Sequence, residues 1–313
     1  MNFFKTIILF FTIVLSSCET KGQNPDNTKP MYGEVIKSEE FIKIDEDFKK
    51  ESLKQYKTID SSVYVQINNA WYYFYNKDFK TAMKRFNQAW LLNPEFPDSY
   101  FGFAALMDIQ NNEKESARFY KIGKEKDKTK ERSKKCYLRI AECKENLQDL
   151  KGTIEAHTKL TELSPNSVFS FKKLGYLHMQ NRNFKEALRY YNEAIIMDPN
   201  DAMTYNNRGY LNQMEKNYKV AISDYTKALE IDSKYIGAYV NRGLTEMELN
   251  NFSSAKKDFE ASVKLDLNSG ELRRFLAIAK LKLNDKNGAC KDLELAKSLG
   301  DNQVDELISQ NCK

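Results

Sequence analysis

The chain has 313 residues, with 49 basic and 44 acidic side chains, a formal net charge of +5, 41% hydrophobic and 12% aromatic content, but only 12 Gly, 6 Pro and 2 His. Gly plus Pro stands at about half of ordinary usage, which argues against sandwiches and barrels, whose tight turns consume both, and for long helices. The near balance of charge creates no field that demands nucleic acid, the ring-rich apolar content excludes a mostly disordered chain, and two His leave little for metal or acid–base chemistry; length alone suggests about two domains.

Residues 1–17 open with Met1-Asn2-Phe3-Phe4-Lys5, continue through the apolar run 6–15 and end in Leu15-Ser16-Ser17 before Cys18. One positive charge, an apolar core too short to span a bilayer and small residues at its end describe an export signal. The Leu-Ser-Ser-Cys sequence resembles the lipobox of bacterial lipoproteins. That resemblance implies cleavage before Cys18, acylation of Cys18, and a chain anchored in the bacterial cell envelope, in the outer membrane by expectation. Residues 18–37 are polar and hold Gly22, Pro25, Pro30 and Gly33, which reads as a flexible tether. Over 38–62, Phe41, Ile44 and Phe48 recur at helical spacing among charges, predicting an N-terminal capping helix across Glu39–Tyr56.

From Val63 the chain repeats itself. In units of 34 residues beginning at Val168, Ala202 and Ile236, the eighth place holds Gly175, Gly209 and Gly243, the twentieth Ala187, Ala221 and Ala255, and the twenty-fourth Tyr191, Tyr225 and Phe259. The same frame starts further units at Val63, Pro97, Lys134 and Gly270, with one insertion, Glu131–Ser133. The sixteenth place is Asn or Asp throughout: Asp78, Asn112, Asp149, Asn183, Asn217, Asn251 and Asp285. Such side chains accept bonds from the free N–H groups that open a helix, so each is expected to cap the second helix of a pair. Behind Asn183, residues Phe184, Ala187, Leu188, Tyr191, Ala194 and Ile195 follow helical spacing. Pro94, Pro165 and Pro199 fall where second helices should stop.

This pattern resembles the tetratricopeptide repeat. The resemblance implies an all-α fold, an α-solenoid in which seven helix pairs over 63–303 wind as a right-handed superhelix, with capping helices at both ends, the C-terminal one over 304–313. The small residues let two antiparallel helices approach, and a larger side chain there costs about 1–3 kcal/mol. The unit from Pro97 departs: Ser116 and Gly123 replace Ala, and Lys124 and Lys126 stand where Ile195 and Met197 stand in the unit from Val168. Its second helix is therefore expected to end early or fray, at the least stable junction of the array.

Cys290 and Cys312 lie where a helix folding back would bring them together, and export favours a bridge closing about 20 residues. Cys136 and Cys143 are seven apart on one predicted helix, too far along its axis for a bridge, and read as small buried thiols. His157 takes a ring place of the repeat and His178 faces its helix partner; both read as structural. No phosphate loop, nucleophile elbow or metalloprotease motif occurs, so neither a cofactor, a metal site nor an enzyme is expected. Ten basic residues fall between Lys114 and Lys135, which reads as a solvated helix end or as a surface for an acidic partner or anionic headgroups.

In tetratricopeptide arrays the first helices line a concave groove. Carried over, the groove would present Lys172, Tyr176, Met179, Asn206, Asn207, Tyr210, Gln213, Val240, Asn241, Leu244 and Met247 to a protein or peptide. The chaperone-tail clamp of some members is not matched, since Tyr176 and Gly237 stand where that clamp holds Asn and a basic residue. The reading is a membrane-anchored scaffold that binds a protein or peptide partner. Its alternatives are a surface lipoprotein that binds glycans or nutrients and, further off, an enzyme with an unrecognised groove site.

Overall fold

The computed structural model describes residues 25–312, so the export signal and Cys18 lie outside the described residues. Within them the chain is all-α, with sixteen α-helices and no strand, arranged as an α-solenoid of antiparallel helix pairs. It divides into two compact units, one ending at Cys143 and one beginning at Lys144. The first holds α1 (Glu39–Tyr56), the pairs α2 (Ile59–Tyr75) with α3 (Phe79–Leu92) and α4 (Pro97–Ile109) with α5 (Glu113–Lys126), and most of α6 (Glu131–Asn146). The second holds α7 (Leu150–Leu163), then α8 (Val168–Gln180) with α9 (Phe184–Met197), α10 (Ala202–Met214) with α11 (Tyr218–Ile231), α12 (Ile236–Glu248) with α13 (Phe252–Leu265), and α14 (Gly270–Lys282) with α15 (Lys286–Ser298); α16 (Asp305–Asn311) closes it.

One turn recurs inside every pair. Arg182 is left-handed, its N–H donates to the Met179 carbonyl (3.0 Å), and the N–H of Asn183 donates to the His178 carbonyl (2.8 Å). This is the Schellman closure of α8. The residue that completes it is also the N-cap of α9. Lys77, Asn111, Gln148, Lys216, Asn250 and Asn284 are left-handed at the same place, with φ between 58 and 63°. Asp78, Asn112, Asp149 and Asp285 accept a bond from the N–H three residues on, at 2.9–3.3 Å. Asn183, Asn217 and Asn251 occupy the same place without that bond, contrary to the expectation from the sequence. A carboxylate carries only acceptors, whereas an amide has a donor end that competing groups can take. Asn251 shows the competition: its amide donates to Glu246 at 2.7 Å.

Close approach within pairs depends on the eighth-place Gly. A Cβ at Gly175, Gly209 or Gly243 would lie 2.6–2.7 Å from Cε1 of Tyr191, Tyr225 or Phe259, inside any tolerable contact. Those three rings are almost wholly buried and form the spine of their unit.

Two expectations need correction. Helix α5 does not end early; it runs 14 residues, as α9 does. Gly123 is a contact surface there, because a Cβ would meet Phe101 at 2.6 Å, and the Asp127 N–H caps its carbonyl at 3.0 Å. The insertion becomes the first turn of α6, where the N–H and hydroxyl of Ser133 both donate to the Asp127 carboxylate at 2.7 Å. Nor are residues 25–37 a free tether. Tyr32 is buried, its N–H donates to Asn87 Oδ1 (3.3 Å), and the Asn87 amide donates to the Lys29 carbonyl (2.8 Å). Glu34 pairs with Arg118 at 2.6 Å and Lys37 pairs with Asp45. The Gly and Pro of this segment shape a left-handed turn through Met31, Tyr32 and Gly33 that seats the Tyr32 ring.

At the other end, Val304, Leu307 and Ile308 pack on Ala277, Ala289, Leu293 and Ala296, and a Cys290–Cys312 disulfide ties α15 to the residue after α16. Cys136 and Cys143 are buried and outside any disulfide.

Candidate peptide-binding surface

The sequence places the surface on the first helices of three successive pairs, α8, α10 and α12. These helices are set in place by an ion pair that repeats with the units. Arg208 Nε donates to Asp224 across its own pair (3.0 Å) while another of its nitrogens donates to Asn192 of the preceding second helix (2.8 Å). Arg242 repeats this 34 residues on, reaching Asp258 (2.9 Å) and Thr226 (3.0 Å). Each Arg thus locks a first helix to two second helices, and both carboxylates are buried.

Of the eleven sequence-predicted residues, several face inward or hold one another. Met179 packs against the cluster of Ala187, Tyr191 and Leu211; Val240, Leu244 and Met247 pack against that of Phe259, Leu272 and Leu276. Lys172 pairs with Asp201 at the mouth of α10 (2.7 Å). Gln213 accepts the Tyr225 hydroxyl at 2.8 Å. Asn206 is buried; its oxygen accepts from the Asn241 amide of α12 at 3.0 Å and its own amide donates to Asn207 at 3.4 Å, so three amides link two first helices. Tyr176 and Tyr210 are the expected residues that stand open to solvent, at 40% and 42% exposure.

Three residues that the sequence reading missed complete the exposed surface. Phe169 stands seven residues before Tyr176 on α8 and is 61% exposed, while Met203 and Met214 flank Tyr210 on α10 at 52% and 45%. Spacings of seven and four place each set on one face of its helix. The signal was present at the second place of the unit, where Phe169 and Met203 stand in register, but that place carries no repeat identity and so escaped notice. The result is an apolar, aromatic face on two neighbouring helices, with the Asn206, Asn207 and Asn241 amides beside it.

The two His lie outside this face. His157 is buried, its ring tilted against Phe169, and burial pulls its pKa down to about 4. His178 stacks on Tyr190 with ring centroids 5.2 Å apart. Among the described residues no group of three or more His, Cys, Asp or Glu is disposed to hold a metal ion, and no helix is long and apolar enough to cross a membrane.

The helix pairs, the repeating turn and the Gly–ring contacts define a helical-repeat protein. Tetratricopeptide repeat family models match residues 172–236 and 236–269, so the chain carries tetratricopeptide repeats across α8 to α13. No curated protein matches it. Among solved structures it is similar to MamA protein, at 21% identity over 56% of this chain and 94% of that one, TM-score 0.48. It is also similar to the MamA RS-1 ArsTM double mutant, at 15% identity over 54% and 96%, TM-score 0.50. A third is YrrB, described as a TPR protein with an unusual peptide-binding site, at 15% identity over 56% and 91%, TM-score 0.47. At these identities the likeness is one of fold.

Proposed function

We propose that the chain is a lipid-anchored scaffold of the bacterial cell envelope whose α8–α10 face binds an extended peptide segment of a partner protein. The observation that carries this reading is the exposure of Phe169, Tyr176, Met203, Tyr210 and Met214 on two adjacent first helices. Aromatic and Met side chains supply adaptable apolar contact, and amides beside them can pair with the backbone of an extended chain. The Cys18 lipobox, if processed, holds this face near a membrane, and two acyl signals are needed because one chain binds only weakly.

Panning a random peptide library against the protein, then measuring the selected peptide on the Tyr176→Ala/Tyr210→Ala double variant, tests the face. Loss of tenfold or more in affinity, about 1.4 kcal/mol, is expected. Unchanged affinity moves the site elsewhere. The anchor is tested separately: radiolabelled fatty acid should label the wild type and not Cys18→Ala.

A further inference from the structure

Helix α5 presents one strongly basic face that the proposed peptide surface does not use. Lys114, Arg118, Lys121 and Lys124 recur at spacings of three and four on its solvent side, and Lys128 continues the line beyond its end. All five are exposed. Arg118 pairs with Glu34 and Glu115, but Lys114, Lys121, Lys124 and Lys128 have no carboxylate partner among the described residues, and Glu125 is the sole acidic side chain exposed within that stripe.

The second observation is where the N-terminal segment is held. Asn87 grips the Lys29 carbonyl and the Tyr32 N–H, and Glu34 reaches Arg118 on α5 itself at 2.6 Å. A cavity of about 330 Å³ lies between this strap and α5, lined by Pro30, Gly33 and Glu34 on one side and by Asn112, Glu115 and Phe119 on the other. The segment that leads back to Cys18 is therefore fastened beside the basic face. Seven residues separate Cys18 from Pro25, and at about 3.3–3.6 Å per residue they span at most about 25 Å.

We infer that the Lys114–Lys128 face lies against the anionic lipid headgroups of the membrane that holds Cys18. The inference rests on the anchored reading above. A free basic stripe attracts any anion, but a short leash ending next to it makes the bilayer surface the partner present at the highest local concentration. Acylation supplies one membrane signal and the basic face a second, and the two together orient the first unit with α5 downward.

The test uses the chain as cells process it, purified from membranes and reconstituted on two sets of vesicles, neutral phosphatidylcholine alone and phosphatidylcholine with phosphatidylglycerol. Intact mass first reports acylation. Lysine labelling with acetic anhydride, read by mass spectrometry, then reports contact. On anionic vesicles Lys114, Lys121, Lys124 and Lys128 should label about three-fold more slowly than on neutral ones, with the difference gone at 1 M salt, where screening acts over about 3 Å. The exposed Lys151, Lys185, Lys219 and Lys257 of the second unit should label alike on both. An acylated chain whose four α5-face lysines label equally on both vesicles overturns the inference and leaves the anchor standing. A chain without acyl groups overturns the anchored reading, and this inference with it. Charge reversal of the four lysines to Glu provides the complementary variant: it should abolish the salt-sensitive protection of neighbouring Lys130 while leaving helix content unchanged.

Discussion

Arg242 grips Asp258 sixteen residues further on, its Nε and a terminal nitrogen each donating to one carboxylate oxygen at 2.9 and 2.7 Å. Hydrogen bonds to Asp258 hold the guanidinium pKa above its ordinary value, against the effect of burial. Because Asp258 is buried, removing Arg242 strands a charge. Arg242→Met should cost about 3 kcal/mol in chemical denaturation, whereas Arg242→Met with Asp258→Leu should recover much of it, since apolar replacement of both members of a buried pair is often neutral. Equal losses in the single and double variants would show that the pair is not coupled.

Tyr191 and Tyr225 occupy the same place in successive repeats and differ in one partner. The Tyr225 hydroxyl donates to Gln213, but the corresponding residue of the earlier unit is Met179, and the buried Tyr191 hydroxyl has no hydrogen-bond partner. Burial raises both phenol pKa values, so neither ionises in the working range. Tyr225→Phe should therefore lower stability by about 1 kcal/mol, and Tyr191→Phe should leave it unchanged or raise it. Thermal melts of the two variants, measured side by side, decide the matter.

Arg182 and Lys216 hold left-handed φ values of 56 and 62° in the turns that close α8 and α10. A side chain with a Cβ is strained there, and Gly is not. Arg182→Gly and Lys216→Gly should each raise the unfolding free energy by about 0.5–1 kcal/mol, although Gly substitution ordinarily destabilises. A fall in the denaturation midpoint for both would place the turn elsewhere in conformational space.

His157 makes stability depend on pH. Burial chiefly, with some help from Lys173 and against Glu145, lowers its pKa from 6.5 to about 4. The folded state therefore holds the imidazole neutral while the unfolded chain takes up a proton below 6.5. The contribution is fully present above that value and is lost as pH falls from about 6.5 towards 4. His178 is lowered in the same direction, again by burial first. His157→Tyr, which installs the ring used by the neighbouring repeats, should flatten the decline in denaturation midpoint between pH 6.5 and 4.5. A decline as steep in the variant as in the wild type would refute it.

Helix pairing was readable in advance because it rests on short-range physics. Gly175 against Tyr191 and the N-cap place before each second helix recur every 34 residues, and such spacing survives without knowledge of tertiary structure. What the sequence concealed depends on contacts between units. The Arg242–Asp258–Thr226 bridge occurs in two units and not in the one from Val168, where Leu174 stands at the Arg place, so it leaves no full periodicity. Asn206 looked like a groove residue by register and proved buried because Asn241 of the next pair meets it. The Pro25–Lys37 segment read as a tether from its composition, while the deciding contact, Asn87 to the Lys29 backbone, spans 58 residues. Phe169, Met203 and Met214 were overlooked for the opposite reason: exposure removes the constraint that makes a place repeat.

The turn within each pair leaves no spare residue. The amino acid that finishes the Schellman closure of the first helix also begins the second, so one added or deleted residue there would disrupt both ends at once. The connections between pairs carry no such double duty, and the Glu131–Ser133 insertion entered at one of them and was absorbed as a turn of α6. Changes in length are thus channelled to the seams between hairpins, and the protein can be re-cut, extended or fused there in whole hairpins while each hairpin behaves as an indivisible part.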